Sequence, residues 1–396
     1  MSNAFADFAD AASRRSVSEP PATVPEYRRI AVLGGGPDAR LIAALCIAEG
    51  CEVTLFSAYG VELEAMRAAS GIALRGDGPV GSYQIDRDAA PSVRLTAELD
   101  GAVQGAEVIF LTGPVHKQRT YAMVLADHLS DGQVLVLPQG RSLGALETAW
   151  FLRIGGASAD VTIVECQGLP YWIAAQGAVL NLSAAAPVAA ATLPSGRMSV
   201  LEGLAKLLPN LAPCQNVLSS GFADGSALVE FPALLMSGPA LGSGAVPVPS
   251  GGTPLPENQT FAALIGPEQR GVIDQLAQER RDVAQRFGER TLPTDEEWVL
   301  THAGALKGAG ARPVPDATTS KALLRDGIIG SLVPLCSAAR LAGVEVPVTR
   351  AMITLASAVL GADVAAAGRK LDTIGIEAVD IDTARIAMDR IATGGR

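Results

Sequence analysis

The sequence predicts an α/β protein in two parts, a sheet domain followed by a mainly helical domain. From Arg29 to about residue 165, short β-branched runs alternate with helical stretches. Alternation of this kind is typical of a parallel sheet with helices on both faces. After about residue 190, amphipathic helical patterns prevail and strand patterns become scarce. We therefore expect a parallel-sheet domain over residues 27–188 and an all-helical domain over residues 189–396.

Five nearly continuous apolar runs are predicted to be buried strands, because each is flanked by Gly, Asp or Pro. In chain order they are "RIAVLG", "CEVTLF", "AEVIFLTG", "GQVLVLP" and "ADVTIVE". Two further short strands are expected in "VGSYQIDR" and "SVRLTAEL". Apolar residues recur at helical spacing between the strands, in "ARLIAALCIAEG", "HKQRTYAMVLADHL" and "SLGALETAWFLR".

The second part is predicted from amphipathic helical patterns in "LEGLAKLLP", "EQRGVIDQLAQERRDVAQRFGER" and "IIGSLVPLCSAARLAGV". A Gly/Pro-rich stretch over residues 242–259 interrupts these patterns and is expected to be a loop near the cleft between the domains. The first 26 residues are rich in Ala, Ser and Pro, so residues 1–26 are expected to form a disordered arm.

Composition and charge exclude several classes of function. The 396-residue chain carries a net charge of −10, which argues against nucleic acid as a partner because phosphates require a basic face. Its five cysteines are scattered without the spacing of a metal site and are interpreted as reduced thiols of a cytoplasmic protein. No apolar run of membrane-spanning length lacks a charge or a Gly/Pro break, and the N-terminus does not have the pattern of a signal peptide.

The stretch "RRIAVLGGGPDARLIAAL" carries the clearest motif. Gly34, Gly36 and Ala39 fit the pattern G-x-G-x-x-G/A between a predicted strand and a helix. In that pattern the first glycine permits a tight turn, the second lets the backbone approach a pyrophosphate, and the third small residue allows close packing. We expect a Rossmann-type dinucleotide site whose phosphate-binding loop also contains Gly35, Pro37 and Asp38. A plain strand–helix turn is the alternative, since Pro37 removes one donor and Asp38 is negatively charged.

The second strand ends at Ser57, where an acidic residue would bind the ribose hydroxyls of NAD. A serine can donate a hydrogen bond to a 2′-phosphate and does not repel it. The expected cofactor is therefore NADP or NAD, with NADP slightly favoured.

Four further stretches occur in a characteristic order: "LPQGRSLGALETAWFLR", "VTIVECQGLPYW", "NVLSSGFADGSALVEFPALLMSG" and "RDGIIGSLVPLCSAARLAGVEVPVTRAM". With the glycine loop, this ordered set resembles the octopine/nopaline (opine) dehydrogenase family, relatives of 6-phosphogluconate and ketopantoate reductases. The resemblance implies a Rossmann domain joined to an all-helical domain, with the substrate in the cleft. It also implies reduction, by NAD(P)H, of an imine formed from an amino acid and a 2-keto acid. Gly113 and Pro114, in "TGPVH", match a cofactor-binding segment.

The resemblance implies a catalytic histidine on the helix after "NVL", supported by an aspartate that matches Asp326. That histidine is missing, because Val229 matches its position and Glu230 follows. Glu230 is either solvent-exposed or buried with a partner, and a buried carboxylate in the cleft would suit proton transfer. Asp326 has an alternative structural role as the N-cap of a helix in "GIIGSLVPL".

Only three histidines are available as substitutes. His116 follows the carboxyl end of a predicted strand, where ligands of such sheets bind, but it could equally be an exposed residue in the first turn of a helix. His302 precedes a Gly-rich stretch in the region that approaches the substrate in the family, whereas His128 is expected to stabilise a helix C-terminus. Lys307 and Arg312 could bind a substrate carboxylate or form a solvated basic loop.

The sequence thus predicts a cytoplasmic NAD(P)-dependent dehydrogenase that acts on a CH–NH bond of a small amino/keto acid substrate. The expected form is a homodimer. Its catalytic candidates are Asp326, His116, Glu230 and His302, and no metal is expected. Two alternatives stay open. One is a keto-acid reductase of the ketopantoate reductase type, which needs no amine. The other is a catalytically degenerate nucleotide-binding protein, which the missing histidine would explain.

Overall fold

The structure is a computed structural model that describes residues 23–87, 91–237 and 260–392. Most of the expected arm over residues 1–26 and all of the Gly/Pro-rich loop over residues 242–259 lie outside the described residues. The described residues form a sheet of twelve strands and fourteen α-helices.

The strands include all seven that the sequence predicts, so the predicted fold class is confirmed. In chain order they are β1 (Arg29–Leu33), β2 (Glu52–Phe56), β3 (Gly71–Gly76), β4 (Gly81–Ile85), β5 (Ser92–Thr96), β6 (Val108–Leu111), β7 (Val134–Leu137), β8 (Thr162–Cys166), β9 (Tyr171–Gln176), β10 (Val179–Ala184), β11 (Val188–Leu193) and β12 (Leu211–Pro213). Their order across the sheet is β12-β11-β8-β7-β6-β1-β2-β5-β4-β3-β10-β9.

Strand β1 pairs in parallel with β2 on one side and with β6 on the other. Parallel pairing continues from β6 to β7 and β8, and from β2 to β5. The carboxyl ends of these strands therefore meet at one edge of the sheet, which is where ligands bind in open α/β sheets.

Helices cover both faces of the sheet. The helices of this part are α1 (Pro37–Ala48), α2 (Gly60–Ala69), α3 (Leu99–Val103), α4 (Val115–Leu125), α5 (Gly144–Ile154) and α6 (Met198–Leu204). Because side chains alternate along a strand, Ile30 and Val32 belong to one core together with α1. Ala31 and Leu33 belong to the core on the opposite face, with α4 and α5. Burial on both faces explains why the strands are almost continuously apolar.

The helical part consists of α7 (Val217–Ala223), α8 (Ser226–Met236), α9 (Pro267–Arg286), α10 (Asp295–Ala303), α11 (Ala317–Gly327), α12 (Val333–Ala342), α13 (Pro347–Leu360) and α14 (Ile381–Ala392). It has its own core around the fully buried Trp298. Phe287, Leu335 and Met388 of this part also join the core on one face of the sheet. The two parts therefore share an apolar interface.

The sheet extends beyond residue 188, where the sequence analysis ends the sheet domain. Strand β11 begins at Val188 and pairs antiparallel with β8, and β12 pairs in parallel with β11. These strands have the sequences "VAAATL" and "LAP", which contain few β-branched residues. Alanine contributes little strand propensity, so sequence patterns did not reveal them.

Asp326 is not an N-cap. It lies in the last turn of α11, which continues through a π-helical turn (Ile328–Leu332) into α12. The N-cap of α11 is Asp316, whose carboxylate accepts a hydrogen bond from the Thr319 amide at 2.7 Å. Gly327 does not end the helix. The residue is a glycine because a Cβ there would lie 2.5 Å from the ring of Phe231.

Arg369 ties the C-terminal part of the chain to the loop that follows β7. Its guanidinium is fully buried and donates to the carbonyl oxygens of Gly140 at 2.6 Å and Ser142 at 3.1 Å. It also binds Glu147 on α5 at 2.6 Å and Gln118 on α4 at 2.6 Å. These bonds satisfy two buried carbonyl groups and one buried carboxylate at once, so this guanidinium fixes the position of the loop.

Replacing Arg369 by Leu is expected to destabilise the protein, because the buried Glu147 carboxylate and two carbonyl oxygens lose their donor. Removing one partner of a buried ion pair costs about 3–5 kcal/mol. Arg119 also contacts Glu147, at 3.0 Å, so we expect the lower figure. Urea unfolding measures the loss. The control is Arg340→Leu, at an exposed residue 4.0 Å from Asp372, which should cost less than about 1 kcal/mol. Equal losses in both variants would contradict the assigned role.

Candidate functional site

The glycine loop lies at the carboxyl edge of the sheet, between β1 and α1. Gly34 has a φ of +134°, and a Cβ there would lie 2.2 Å from Thr112 Oγ1. Only glycine fits such a position. Gly36 directly precedes α1, and Pro37 is the first residue of the helix, where its missing N–H is not needed. Ala39 is fully buried, as close packing of helix and strand requires.

Asp38 connects this loop to the segment after β6. Its Oδ2 accepts a hydrogen bond of 2.7 Å from the Gly113 amide. Burial raises the pKa of Asp38, whereas hydrogen bonds from the Gly113 and Ala39 amides act in the opposite direction. The Asp38 carboxylate, which the sequence analysis counted against a phosphate site, thus holds the loop at Gly113 in place. Gly113 has a φ of +88°, a Cβ there would face open space, and Pro114 then leads into α4.

Ser57 lies at the end of β2 and is buried, but its hydroxyl is not free. It donates a hydrogen bond to Glu62 Oε2 and accepts one from the Tyr59 amide at 3.1 Å. Glu62 belongs to the first turn of α2. A carboxylate therefore lies at the place where the sequence analysis found no acidic residue.

A cavity of about 680 Å³ opens beside these loops and extends between the two parts of the protein. Pro37, Asp38, Gly113 and Pro114 line one end of it. Glu230, His302 and Asp326, which are three of the four catalytic candidates, also line it, whereas His116 is not among its lining residues. Arg141 and Arg312 line the same space. The cavity thus joins the glycine loop to a group of charged side chains.

Glu230 and Arg312 form a buried ion pair in the cavity wall. The distance from Arg312 Nη1 to Glu230 Oε1 is 2.9 Å, and both side chains are almost fully buried. The guanidinium lies 4.1 Å from the ring centre of Phe261 and 4.6 Å from that of Trp172, and it also donates to the carbonyl oxygen of His302. Stacking and pairing together hold Arg312 in one orientation. Glu230 Oε2 has no hydrogen-bond partner among the described residues.

Arg141 is the cavity residue that the sequence analysis missed. It lies in the loop that Arg369 holds, and it adopts a φ of +60°. Its Nη1 is 3.7 Å from Asp224 Oδ1, and its Nε has no partner within the described part of the chain. Burial opposes its charge, but Glu230, Asp224 and Asp326 outweigh that effect and raise its pKa. The guanidinium therefore stays charged. Its position after the strand in "LVLPQGRSLG" is the signal that could have found it.

Similarity to known proteins agrees with this arrangement. A curated opine dehydrogenase of Arthrobacter sp. (strain 1C) is 26% identical over 379 residues, which cover 92% of this chain and 99% of that protein. The chain is thus similar to an opine dehydrogenase over almost its whole length. The resemblance noted in the sequence is thereby confirmed. The chain matches no family model.

Solved structures show the same fold. Octopine dehydrogenase in a structure with NADH and pyruvate has a TM-score of 0.65 and 19% identity, covering 93% of this chain and 98% of that one. A PanE/ApbA family ketopantoate reductase from Ralstonia eutropha JMP134 has a TM-score of 0.53 and 15% identity, covering 84% of this chain and 98% of that one. The architecture of sheet and helices is thus shared with both groups.

The position that matches the missing histidine of the opine dehydrogenases does not face the cavity. Val229 is fully buried in the core of the helical part. Glu230, one residue later on α8, lines the cavity instead. Consecutive helical residues point about 100° apart, so the side chain that α8 presents to the cavity is this glutamate.

The three histidines differ in their surroundings. His302 is buried, and burial together with nearby guanidinium groups lowers its pKa to about 3, although Asp224 acts in the opposite direction. It is therefore uncharged near neutral pH. His116 is half-buried at the start of α4, and burial with Arg325, Lys117 and Arg119 lowers its pKa. His128 contacts Asp100 at 2.6 Å at the surface, away from the cavity.

Asp326 is a buried carboxyl group of the cavity with a raised pKa. Burial raises its pKa to about 6, although Arg141 favours the charged form. Its Oδ1 is buried without a hydrogen-bond partner in the described residues. A carboxyl group with these properties exchanges a proton near neutral pH. Lys307 is exposed and does not line the cavity, so of the two basic residues considered in the sequence analysis only Arg312 lies there.

Two further observations bear on partners. No group of three or more His, Cys, Asp or Glu side chains within residues 23–87, 91–237 and 260–392 is arranged to hold a metal ion. One continuous helical stretch, residues 317–342, is long and apolar enough to cross a membrane, but most of it is buried inside the protein. Buried core helices share this property, so it is weak support for a membrane span.

Gly36→Val is expected to abolish binding of NAD(P), because a branched side chain would enter the space that a pyrophosphate needs. A Cβ at this position already lies 2.7 Å from Asp38 Oδ1, so the loop would also shift. Titration calorimetry measures the binding. The control is Gly271→Val on α9, where a Cβ meets nothing within 4 Å, and it should bind as the wild type does. Undiminished binding by Gly36→Val would show that the glycine loop is not the phosphate site.

Proposed function

We propose that this protein is an NAD(P)-dependent oxidoreductase of the opine dehydrogenase type. It would reduce the imine that forms between the amino group of an amino acid or amine and the keto group of a 2-keto acid, or oxidise the product in reverse. The observation that carries the proposal is the cavity itself. It presents the guanidinium groups of Arg141 and Arg312 and the carboxyl groups of Glu230 and Asp326 beside a glycine loop suited to a dinucleotide. Such a mixture of charges fits substrates that carry both carboxylate and amino groups.

The loop residues of this chain fit a nicotinamide dinucleotide. Gly34, Gly36 and Ala39 meet the steric demands of the phosphate turn, and Gly113 leaves open space beside it. Gly35, Pro37, Asp38 and Pro114 complete the two loops, and Ser57 with Glu62 closes the ribose end. When bound, the nicotinamide supplies or accepts a hydride.

Arg141 is proposed to bind the carboxylate of the keto acid. Its guanidinium is charged, lies in a fixed loop and keeps an Nε–H without a partner among the described residues. Guanidinium groups recognise carboxylates through paired hydrogen bonds. Held in this way, the keto acid would have one orientation in the cavity. A fixed orientation lowers the entropic cost of reaching the transition state.

Glu230 is proposed to bind the amino group of the second substrate. One of its oxygen atoms is fixed by Arg312, and the other is buried without a hydrogen-bond partner in the described residues. An ammonium or amine N–H would satisfy that oxygen. The stacked Arg312 keeps the carboxylate from turning away, so Arg312 acts as a positioning residue. His302 stays neutral and is proposed to contribute an N–H or a lone pair rather than a charge.

Asp326 is proposed to move the proton that the reaction requires. Its carboxyl group has a pKa of about 6 and faces the same cavity as Arg141 and Glu230. In the reductive direction the protonated carboxyl donates, and in the oxidative direction the carboxylate accepts. His116 is proposed to have no direct part, because it does not line the cavity.

The pH dependence of turnover tests the role of Asp326. Reduction needs its protonated form, so the reductive rate should fall as the pH rises above about 6, and the oxidative rate should rise over the same range. Asp326→Asn should remove this pH dependence and slow turnover by about 10²–10⁴-fold. Asp363→Asn, at an exposed carboxylate, is the control and should keep both the pH dependence and the rate. An unchanged pH dependence in Asp326→Asn would assign the proton to another group.

The substrate requirement distinguishes an opine dehydrogenase from a reductase of the ketopantoate type, which shares the fold. NAD(P)H absorbance is followed with 2-keto acids alone and with the same keto acids paired with amino acids or amines. We expect oxidation of NAD(P)H only when both partners are present, because Glu230 offers an oxygen for the amine. Full activity with a keto acid alone would support the reductase alternative. Binding of cofactor without turnover of any pair would support a degenerate protein.

We further propose that the enzyme acts as a cytoplasmic homodimer. Helix α13 fully buries only Thr349 and Ala356, and its apolar residues Leu355 and Val359 are 44% and 39% exposed. A second copy of the chain could cover this face. All five cysteines are free, which supports a reducing compartment. Light scattering of the purified protein should give twice the mass of one chain, and a monomer mass would contradict the dimer.

A further inference from the structure

The ribose end of the proposed cofactor site contains a carboxylate that sequence position does not reveal. Acidic residues that bind the ribose hydroxyls of NAD usually stand at the end of the second strand. Here Ser57 occupies that position, and the acidic residue comes five residues later, as Glu62 in the first turn of α2. The helix turns back toward the strand end, so the two side chains meet.

Glu62 is held against the glycine loop by two contacts. Its Oε2 accepts the hydroxyl hydrogen of Ser57. A Cβ at Gly35 would lie 2.0 Å from the same oxygen and 2.9 Å from Glu62 Cβ. Glu62 thus fills the space that a side chain at Gly35 would need. The middle residue of the loop is glycine because this carboxylate packs over it.

The bond between Ser57 and Glu62 also changes what Ser57 can do. Its only hydrogen is donated to the carboxylate, and its oxygen accepts from the Tyr59 amide at 3.1 Å. A hydroxyl in this state has no hydrogen to offer to a 2′-phosphate. The slight preference for NADP that Ser57 suggested in the sequence therefore loses its basis.

We propose that Glu62 binds the adenosine ribose of the cofactor and makes this protein selective for NAD over NADP. The inference rests on the proposed function, since it assigns the ribose end of that cofactor site. A carboxylate accepts hydrogen bonds from both ribose hydroxyls, whereas it repels the negative charges of a 2′-phosphate. Lys117, a cation on the same side, donates to the Tyr59 hydroxyl at 3.0 Å and lies over its ring at 4.4 Å. These contacts hold the ammonium group on the side chain of Tyr59.

Binding measurements test the inference without any need for turnover. Calorimetry compares the dissociation constants of NADH and NADPH for the wild type, Glu62→Gln and the control Glu64→Gln. Glu64 lies on the same helix and is exposed. We expect the wild type to bind NADH at least about tenfold more tightly than NADPH, the scale of one charge-assisted hydrogen bond. Glu62→Gln should bring the two constants within about threefold, and Glu64→Gln should keep the wild-type ratio.

A charge reversal keeps the test decisive if Glu62→Gln folds poorly. Glu62→Arg should bind NADPH more tightly than NADH, because a guanidinium pairs with a 2′-phosphate. A wild type that binds NADPH as tightly as NADH, or a ratio that neither variant changes, would overturn the inference and leave the proposed function intact. Failure of the wild type to bind either cofactor would instead overturn both. The unfolding midpoint of each variant verifies that it is folded.

Discussion

The buried guanidinium of Arg369 is the contact on which the geometry of the cavity depends. It comes from near the C-terminus and binds the carbonyl oxygens on both sides of Arg141, those of Gly140 and Ser142. Arg141 adopts a φ of +60°, which costs free energy for a residue with a side chain. Such a conformation persists only where surrounding contacts impose it. The helical part thus determines the shape of a loop in the sheet part, and with it the direction of a cavity guanidinium.

The cavity differs in its residues from the site that the resemblance to opine dehydrogenases implies. The position of the family's histidine is held by Val229, which is buried in a core, so no imidazole can act from that place. In its stead the cavity offers Glu230 and Asp326, two carboxyl groups in different surroundings. The first is paired with a stacked guanidinium, whereas burial raises the pKa of the second to about 6. Carboxyl groups whose environments differ in this way are suited to different roles, one binding and one transferring a proton.

Sequence patterns predicted what depends on neighbouring residues, and they missed what depends on distant ones. The central strands β1, β2, β6, β7 and β8 are nearly continuous apolar runs, and the glycine loop is a local steric requirement. Both could therefore be found from the sequence. The position of Arg141 after a strand could have been noticed, but its orientation and the place of Glu62 follow from contacts with Arg369 and with Gly35 in the folded chain. Asp326 was found only through a resemblance. Its helix was expected to begin after Asp326, in "GIIGSLVPL", whereas Gly327 lies inside a longer helical stretch, where packing against Phe231 requires a glycine.

A crystal structure of the protein with NADH and a 2-keto acid such as pyruvate tests the central claim most directly. We expect the carboxylate of the keto acid to lie on the guanidinium of Arg141, with the keto group directed toward Asp326 and the unpaired oxygen of Glu230. We also expect Arg369 to keep its bonds to Gly140 and Ser142 in the complex. A keto acid bound elsewhere in the cavity, with Arg141 making no contact to it, would contradict the proposed site.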